Sequence, residues 1–456
     1  MSRSAIETIT TEMSVDEKKA SFSLAFLYAL RMLGLFMVLP VMMIEGQKLE
    51  GASVSLLGLA MGVYGLTQAL LQIPSGALSD RIGRKPVIVG GLLIFALGSV
   101  VAAMADSVWM MIVGRALQGA GAIASAIMAL LTDLTRDEHR MKAMATVGVS
   151  IGMSFSVALI LGPWLASIGG LTFIFSATAA LALVGVLVVL LVIPSPQQAV
   201  HNRDASASWG EVLKQFANPQ LWPLNIGIFI LHALMVGVFV AIPKELVALG
   251  VESSSHSWLY LPVLLVAFVL MVPFIILAEK RRKMKGVVIL GALIISFSLV
   301  LMIFSSAVWH WIAAMLLYFW GFNLMEASLP SWLSKVAPAG AKGSAMGIYS
   351  SMQFMGAFVG GALGGRLFQY YGSATLFLIW CVAVLLWVVY LAFSPAPKHL
   401  SSVRISLQQE FKAHYLTALS ALGGVSDSTW VEDENAIYLK VDADVFDHDQ
   451  ALAIVH

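Results

Sequence analysis

The chain has 456 residues, of which 59% are hydrophobic and 12% charged, about half the charged share of an ordinary soluble domain, and its formal net charge is +1. That net charge gives no sign of nucleic-acid binding, and no nucleic-acid partner is expected; the one cysteine, Cys381, excludes a disulfide framework or a thiolate metal cluster within the chain. Apolar runs of about 20 residues, each sufficient for a bilayer core of ~30 Å, recur throughout and define an all-α polytopic membrane protein.

Met1 to Lys19 is polar and mixes acids with bases. It lacks an apolar core and a small-residue cleavage site, so a cytoplasmic tail is expected there and not a signal peptide. Apolar runs then follow at 22–44, 56–79, 86–105, 109–132, 143–168, 172–193, 221–243, 257–278, 286–305, 309–333, 343–368 and 374–393. These are twelve candidate membrane helices. Lysines and arginines gather in the even-numbered connections: Arg81, Arg84, Lys85; Arg136, Arg140, Lys142; Arg203, Lys214; Lys280 to Lys285; Lys335, Lys342. The odd-numbered connections hold Lys48, Lys244 and Arg366. This asymmetry predicts that the even loops and both termini are cytoplasmic.

The polar stretch from Pro194 to Pro219 divides the membrane part in two. Residues recur between the halves at an offset of 199: Pro74 with Pro273, Asp80 with Glu279, Arg81 with Lys280. A tandem repeat of this kind places a transport site at the interface of the halves. The expected organisation is a tail at 1–21, six-helix bundles at 22–193 and 221–393 joined by a linker at 194–220, and a small domain at 398–456. Ser394 to Lys398 reads as a proline-stiffened exit. Val403, Ile405 and Leu407 alternate as in a half-buried strand, and Phe411, Tyr415, Leu416, Leu419 and Leu422 share a helix face ended by Gly423-Gly424. Strands around Ser428 to Glu432 and at Ile437 to Val441, then a helix from about Asp447 to Val455, complete a β-α-β-β-α order. It resembles a ferredoxin-like α+β domain lacking its last strand. Asp442, Asp444, Asp447, His448 and Asp449 lack the central glycine and distal glutamate of a calcium loop, so they read as helix N-terminal acids and no metal site is expected.

Three motifs carry the chemistry. Gly76-Ala77-Leu78-Ser79-Asp80-Arg81-Ile82-Gly83-Arg84-Lys85 connects the second and third runs and resembles the loop signature G-x-L-x-D-R-x-G-R-K of the major facilitator superfamily. The second copy, Glu279 to Lys283, keeps charge but has lost both glycines. Arg115-Ala116-Leu117-Gln118-Gly119-Ala120-Gly121 resembles the R-x-x-Q-G-x-G pattern of proton-coupled members, and Arg115 and Gln118 at i, i+3 share a helix face. Gly148, Gly152 and Gly162-Pro163 match the glycine-rich antiporter motif in part: Ala158, Ala166 and Ser167 stand where further glycines are expected.

Arg31, Arg115, His232 and Glu326 are ionisable residues well inside apolar runs. At membrane depth each is a functional candidate, because burying an unpaired charge in hydrocarbon is costly. Glu326, at i, i+3 from Asn323, is the first choice for a protonation site, since desolvation and a nearby cation pull a carboxyl in opposite directions. A permanent ion pair of Glu326 with Arg31 or Arg115 is the alternative, and His232 is a second titratable candidate. Phe36, Tyr64, Gln68, Gln72, Gln118, Asn225, Trp320, Asn323 and Gln353 are candidate cavity residues. Their aromatic and amide character suits a lipophilic or weakly polar solute.

The resemblance spans nearly the whole chain and implies a major facilitator fold. It also implies a bacterial inner-membrane, proton-driven efflux carrier of the drug:proton antiporter group, with a cytoplasmic sensing domain. By the same resemblance, Asp80 is expected against the N-terminus of the eleventh helix near Lys342 to Ser344, and Arg84 against Asp133 at the cytoplasmic end of the fourth. With Gly76, Arg81, Gly83 and Lys85 they would form a conformational latch. Small residues at Gly58, Gly62, Gly65 and Ala69, and at Gly343, Gly347, Gly356 and Gly360, suit close approach of the second and eleventh helices. The partners expected are a small-molecule substrate, protons and lipid; the chain is expected to act as a monomer without cofactors. A facilitator or solute:proton symporter, and a non-transporting sensor signalling through 398–456, are the alternatives. The sequence has no metalloprotease helix, nucleophile elbow or phosphate-binding loop, so an enzyme or an ATP-driven pump is not expected. Whether the C-terminal domain meets Arg81 to Lys85 or Lys280 to Lys285 is open at this point.

Overall fold

The computed structural model describes residues 13–194, 209–338, 341–395, 400–407, 411–431, 435–442 and 445–455. The first part of the tail, most of the linker (195–208), the exit at 396–399, Glu432 and Asp444 lie outside the described residues.

Among the described residues, ten helical stretches are long and apolar enough to cross a membrane. Two exceed one crossing: Asp137–Leu191 has 55 residues and Lys342–Phe393 has 52. Helical geometry fails in the first at Gly169 and Gly170 and in the second at Gly372, where positive φ values of 61° (Gly170) and 80° (Gly372) turn the chain. Each stretch is therefore two helices, and the described crossings number twelve, as the apolar runs predict. In order they are Val15–Phe36, Val54–Ile82, Arg84–Ala103, Val108–Asp133, 137–168, 171–191, Trp222–Ala248, His256–Lys280, Met284–Ile303, Val308–Val336, 342–371 and 373–393. They are called the first to twelfth helices below. A short helix, Trp209–Phe216, precedes the seventh.

The first helix differs from its expected span of 22–44. It starts at Val15 because Ser14 and Glu17 form a capping box: the Glu17 amide donates to Ser14 Oγ (3.1 Å) and the Ser14 amide to the Glu17 carboxylate (2.8 Å). It ends at Phe36, and a turn leads into the separate helix Met42–Glu45. Pro40 in that turn has no amide to continue the ladder. The fourth helix is interrupted between Ala120 and Ala124.

The halves repeat each other at offsets near 200. Lys85 Nζ donates to the Ile193 carbonyl (2.5 Å) at the end of the sixth helix, and Lys285 Nζ to the Ala392 carbonyl (2.9 Å) at the end of the twelfth. These bonds satisfy orphan carbonyls at helix C-termini with a cation. Gly91 abuts Gly121, and Gly291 abuts Gly321.

The second and eleventh helices cross in intimate contact. A Cβ at Gly58 would meet Gly361 and Gly365, at Gly62 it would meet Phe358, and at Gly65 the Phe354 carbonyl. Ser351 Oγ donates to the Ala69 carbonyl (3.2 Å), and the Ser55 amide to Gln369 Oε1 (2.8 Å). Ser257 Oγ of the eighth helix donates to the Ile160 carbonyl of the fifth (2.7 Å). All of these contacts lie between mid-bundle and the end carrying the odd-numbered loops.

The C-terminal domain is a three-stranded antiparallel sheet, β1 (Ser401–Ser406), β2 (Val425–Val431) and β3 (Ala436–Val441), in the order β1-β3-β2. Val403 pairs with Leu439 and Ile405 with Ile437, while β2 is bulged between Val425 and Asp427. Helices Ala413–Ser420 and His448–Val455 cover one face, their Tyr415, Leu419, Ala451 and Val455 packing on Ile405, Ile437, Leu439 and Val441. The first helix is shorter than the sequence suggested, ending before Leu422. Asp447 Oδ1 accepts from the Asp449 and Gln450 amides (2.9 and 3.1 Å), so it caps the last helix.

Candidate functional site

Gly83 ends the second helix with φ 99° and ψ 152°, a conformation open to glycine, and the third helix starts at the next residue. This turn brings Arg84 back over the end of the second helix. Its guanidinium pairs with Asp80, donates to Ser79 Oγ (2.8 Å) and donates through Nε to Asp133 Oδ2 of the fourth helix (3.0 Å). Ser79 Oγ in turn donates to the Gly76 carbonyl (2.7 Å), and Arg81 is exposed. The structure thus brings together Gly76, Asp80, Arg84 and Asp133. It does not bring Asp80 to the eleventh helix: among the described residues no hydrogen bond joins Asp80 to Lys342, Gly343 or Ser344. Asp80 is occupied by Arg84, one helical turn away.

The second copy has reversed polarity. Glu279 of the eighth helix accepts from Lys335 Nζ (2.5 Å) and Ser331 Oγ (2.8 Å) of the tenth. Where the first copy has Gly83, the second has Arg282, a non-glycine residue at φ 54°. Arg282 lies 3.6 Å from Asp442 of the C-terminal domain, and Lys440 Nζ of β3 donates to the Ser334 carbonyl (3.0 Å). The domain's described contacts with the bundle are therefore with the 280–285 loop and the end of the tenth helix.

Two buried polar clusters occupy the bundle interior. In the first half, Arg31 donates to Tyr64 Oη (2.8 Å) and Gln68 Oε1 (2.5 Å), and Gln68 Nε2 donates to Gln72 Oε1 (2.6 Å). Arg115 donates to Gln118 Oε1 (2.7 Å) and the Ala60 carbonyl (3.3 Å), and sits 5.1 Å from the Tyr64 ring centroid. Gln118 Nε2 donates to Ser99 Oγ (2.7 Å). Both arginines are thus solvated by amides, hydroxyls and a ring face. The ion pair considered for either with Glu326 does not form among the described residues, although Arg31 Nε and Nη1 and Arg115 Nη2 are buried without a hydrogen-bond partner there.

In the second half, Gln353 Nε2 lies 2.8 Å from His232 Nε2 and 3.3 Å from Glu326 Oε1. Glu326 Oε2 is 3.9 Å from His232 Nε2 and has no hydrogen-bond partner. The Glu326 side chain keeps 34% of its surface accessible, although Oε2 itself is buried. Tyr28 of the first helix stands in the neighbourhood of Arg31, Tyr64 and Glu326, and Tyr349 of the eleventh in that of Glu326. These two tyrosines escaped the sequence reading. Their signal was the helical spacing itself, Tyr28 at i−3 from Arg31 and Tyr349 at i−4 from Gln353.

The remaining cavity candidates scatter. Phe36 packs edge-on against Phe155 (5.0 Å), which also stacks on Phe322 (5.9 Å) and so links the first, fifth and tenth helices. Trp320 packs against Phe274 (5.4 Å), and its Nε1 has no partner. Asn225 is buried near the start of the seventh helix with Oδ1 unpartnered, and Asn323 is half-buried.

Comparison with known proteins follows from this geometry. Residues 24–361 match the family model described as the Major Facilitator Superfamily. The chain is 44% identical to the inner membrane transport protein YajR of Escherichia coli K12 over 97% of its own length and 98% of that protein's. It is 26% identical to the multidrug resistance protein MdtH of Aeromonas hydrophila over 74% of this chain and 85% of that one. Among solved structures, the xylose transporter XylE from Escherichia coli superposes with a TM-score of 0.68 at 14% identity, covering 84% of this chain and 98% of that chain.

Proposed function

The chain belongs to the Major Facilitator Superfamily and is a multi-pass membrane transporter of small molecules, and from that premise we propose that it is a proton-coupled carrier that exports a small, lipophilic or drug-like solute by alternating access. The observation that carries this reading is Glu326. It stands in the bundle interior beside the Gln353 amide and 3.9 Å from the His232 ring, with no arginine or lysine paired to it among the described residues, and there a carboxylate is able to exchange a proton for a solute. Phe36, Phe155, Phe322, Tyr28 and Tyr349 supply the aromatic surroundings that a lipophilic solute prefers. The likeness to the multidrug resistance protein MdtH supports export of such compounds.

In this reading the lysine and arginine asymmetry places both termini in the cytoplasm of a bacterial inner membrane, and the carrier works as a monomer. The bundles at 22–193 and 221–393 are the moving bodies, joined by the linker at 194–220. The Gly76 to Lys85 hairpin with Asp133 is the cytoplasmic latch. In the described state Asp80 is held by Arg84 within its own half, and the halves meet toward the odd-loop end. Closing the cytoplasmic side would bring Asp80 to the positive end of the eleventh helix dipole.

The reading is tested in proteoliposomes. Glu326→Gln is expected to retain solute exchange between equal concentrations on the two sides while losing accumulation driven by a pH gradient. Undiminished proton-driven accumulation by the variant would contradict it. A sensor reading draws on the direct contacts of Lys440 with Ser334 and of Asp442 with Arg282. Solute binding without solute movement would favour that reading.

A further inference from the structure

Arg31 of the first helix uses one terminal nitrogen twice, donating to Tyr64 Oη and Gln68 Oε1. Its other two nitrogens, Nε and Nη1, are buried and have no acceptor among the described residues. A guanidinium is always charged and carries five N–H donors, and only 2% of this residue is exposed, so water does not serve the remaining ones from the surface. A buried charged donor left unmade is costly, which points to an acceptor that arrives during the working cycle.

The position of Arg31 says what brings that acceptor. Tyr28, one turn earlier on the first helix, stands in the neighbourhood of Arg31 and Tyr64 in its own half and of Glu326 in the other. Arg31 and Glu326 thus flank one tyrosine from opposite halves, and Glu326 Oε2 is also buried without a partner. A small solute beside Tyr28 is offered donors by the first half and a carboxylate by the second. Arg115 also has an unpartnered nitrogen, Nη2, but its other nitrogens tie it to the second helix through the Ala60 carbonyl and to its own helix through Gln118.

The charge of the acceptor follows from the direction of exchange. An anion on Arg31 would repel the Glu326 carboxylate and hold a proton on it, so solute and proton would load together and move the same way. Movement in opposite directions requires an uncharged group there; this step rests on the reading of the chain as a proton-exchanging carrier. We propose that Arg31 is the solute-recognition residue of the first half, donating through Nε or Nη1 to an uncharged ketone or amide oxygen of an aromatic solute whose far end lies toward Glu326. The bond is charge-assisted and shielded from water, which makes it selective: a compound of the same outline without the oxygen leaves the donors unmade and binds more weakly. The donors are covered in the described state, so the oxygen reaches them as the halves close around the solute. Tyr64 and Gln68 hold the guanidinium in place meanwhile.

The test uses full-length protein in lipid nanodiscs with acetylnaphthalene, ¹³C-labelled at its carbonyl, read by isotope-edited infrared spectroscopy. Empty nanodiscs give the band of the ketone dissolved in lipid. The expected result in the wild type is a second, saturable band at lower frequency, the mark of a carbonyl accepting a strong hydrogen bond. Arg31→Met is expected to lose that band, Arg31→Lys to keep a shifted one, and Glu326→Gln to leave it unchanged. Ethylnaphthalene, which lacks the oxygen, is expected to displace the labelled ketone about tenfold less effectively than unlabelled ketone does. No saturable low-frequency band in the wild type, or a band of equal strength in Arg31→Met, would overturn the assignment. Naphthoate displacing the ketone more effectively than the ketone itself would overturn the uncharged acceptor. These outcomes leave the proton site untouched, since it is read separately from proton movement in Glu326→Gln. A ketone band on Arg31 together with proton and solute moving the same way would instead overturn the exchange reading and leave the bond to Arg31 standing.

Discussion

Arg84 is held by Asp80, Ser79 and Asp133, and its side chain and that of Asp133 are largely shielded from solvent, 11% and 3% exposed. Removing one member of such a set leaves the others desolvated and underpaired. Asp133→Asn is expected to destabilise the protein by about 2–3 kcal/mol, seen as a lower thermal midpoint in detergent. Gly83→Ala introduces a Cβ at φ 99°, in a region nearly confined to glycine, and is expected to cost about 1–3 kcal/mol by the same measurement. An unchanged midpoint in both would remove the hairpin's structural role. At this scale the sequence is informative where a charge sits in an apolar run or a glycine recurs at fixed spacing. Glu326 and His232 were visible on those grounds, Gln353 only as an amide among the cavity candidates, and the Arg84–Asp133 pairing only through the resemblance of the loop to the superfamily signature. The contact of Arg115 with Gln118 follows their i, i+3 spacing, but the partners of Arg31 were not visible, because rotation of each helix about its axis decides between an amide and a carboxylate. No single-helix pattern fixes that rotation.

Helix packing depends on surfaces as much as on single residues. The second and eleventh helices approach so closely at Gly58, Gly62, Gly361 and Gly365 that an added side chain there must displace backbone. Gly62→Val should wedge the odd-loop end apart. Cysteines introduced at Gln369 and Ser55, which now share a hydrogen bond, should then cross-link at least several-fold more slowly than on the unaltered background. Equal rates would mean that this face does not set the closed end. Twelve apolar runs were legible from hydropathy, since a bilayer imposes one length on every crossing, and the β-α-β-β-α order was legible from the spacing of its apolar residues. Helix starts and internal breaks were less so. Ser14 and Glu17 extend the first helix into a polar stretch, and the gap at Ala120–Ala124 arises where Gly121 packs against Gly91 of the third helix.

Across the molecule, the C-terminal domain is tied to the second half. Ala436, Tyr438 and Lys440 on the sheet face away from the domain's own helices are buried, and Lys440 reaches Ser334. Lys440→Met keeps the aliphatic stem and removes the donor. It is expected to increase hydrogen exchange at 331–337 by about tenfold or less, the loss of roughly one hydrogen bond, while the strand pairing of β3 stays protected. Protection at 331–337 equal to that of the unaltered protein would show that the contact is not maintained in solution. That docking was not legible, because neither Lys440 nor Arg282 carries a pattern distinguishing an internal partner from solvent. The proposed exchange of solute against protons through the site that contains Glu326 is tested most directly by internal pH in proteoliposomes holding purified protein, challenged with lipophilic cations and neutral drugs. Solute-dependent proton movement opposite to the solute is expected in the wild type and its absence in Glu326→Gln; proton movement in the same direction as the solute, or equal movement in both proteins, would contradict antiport at this site.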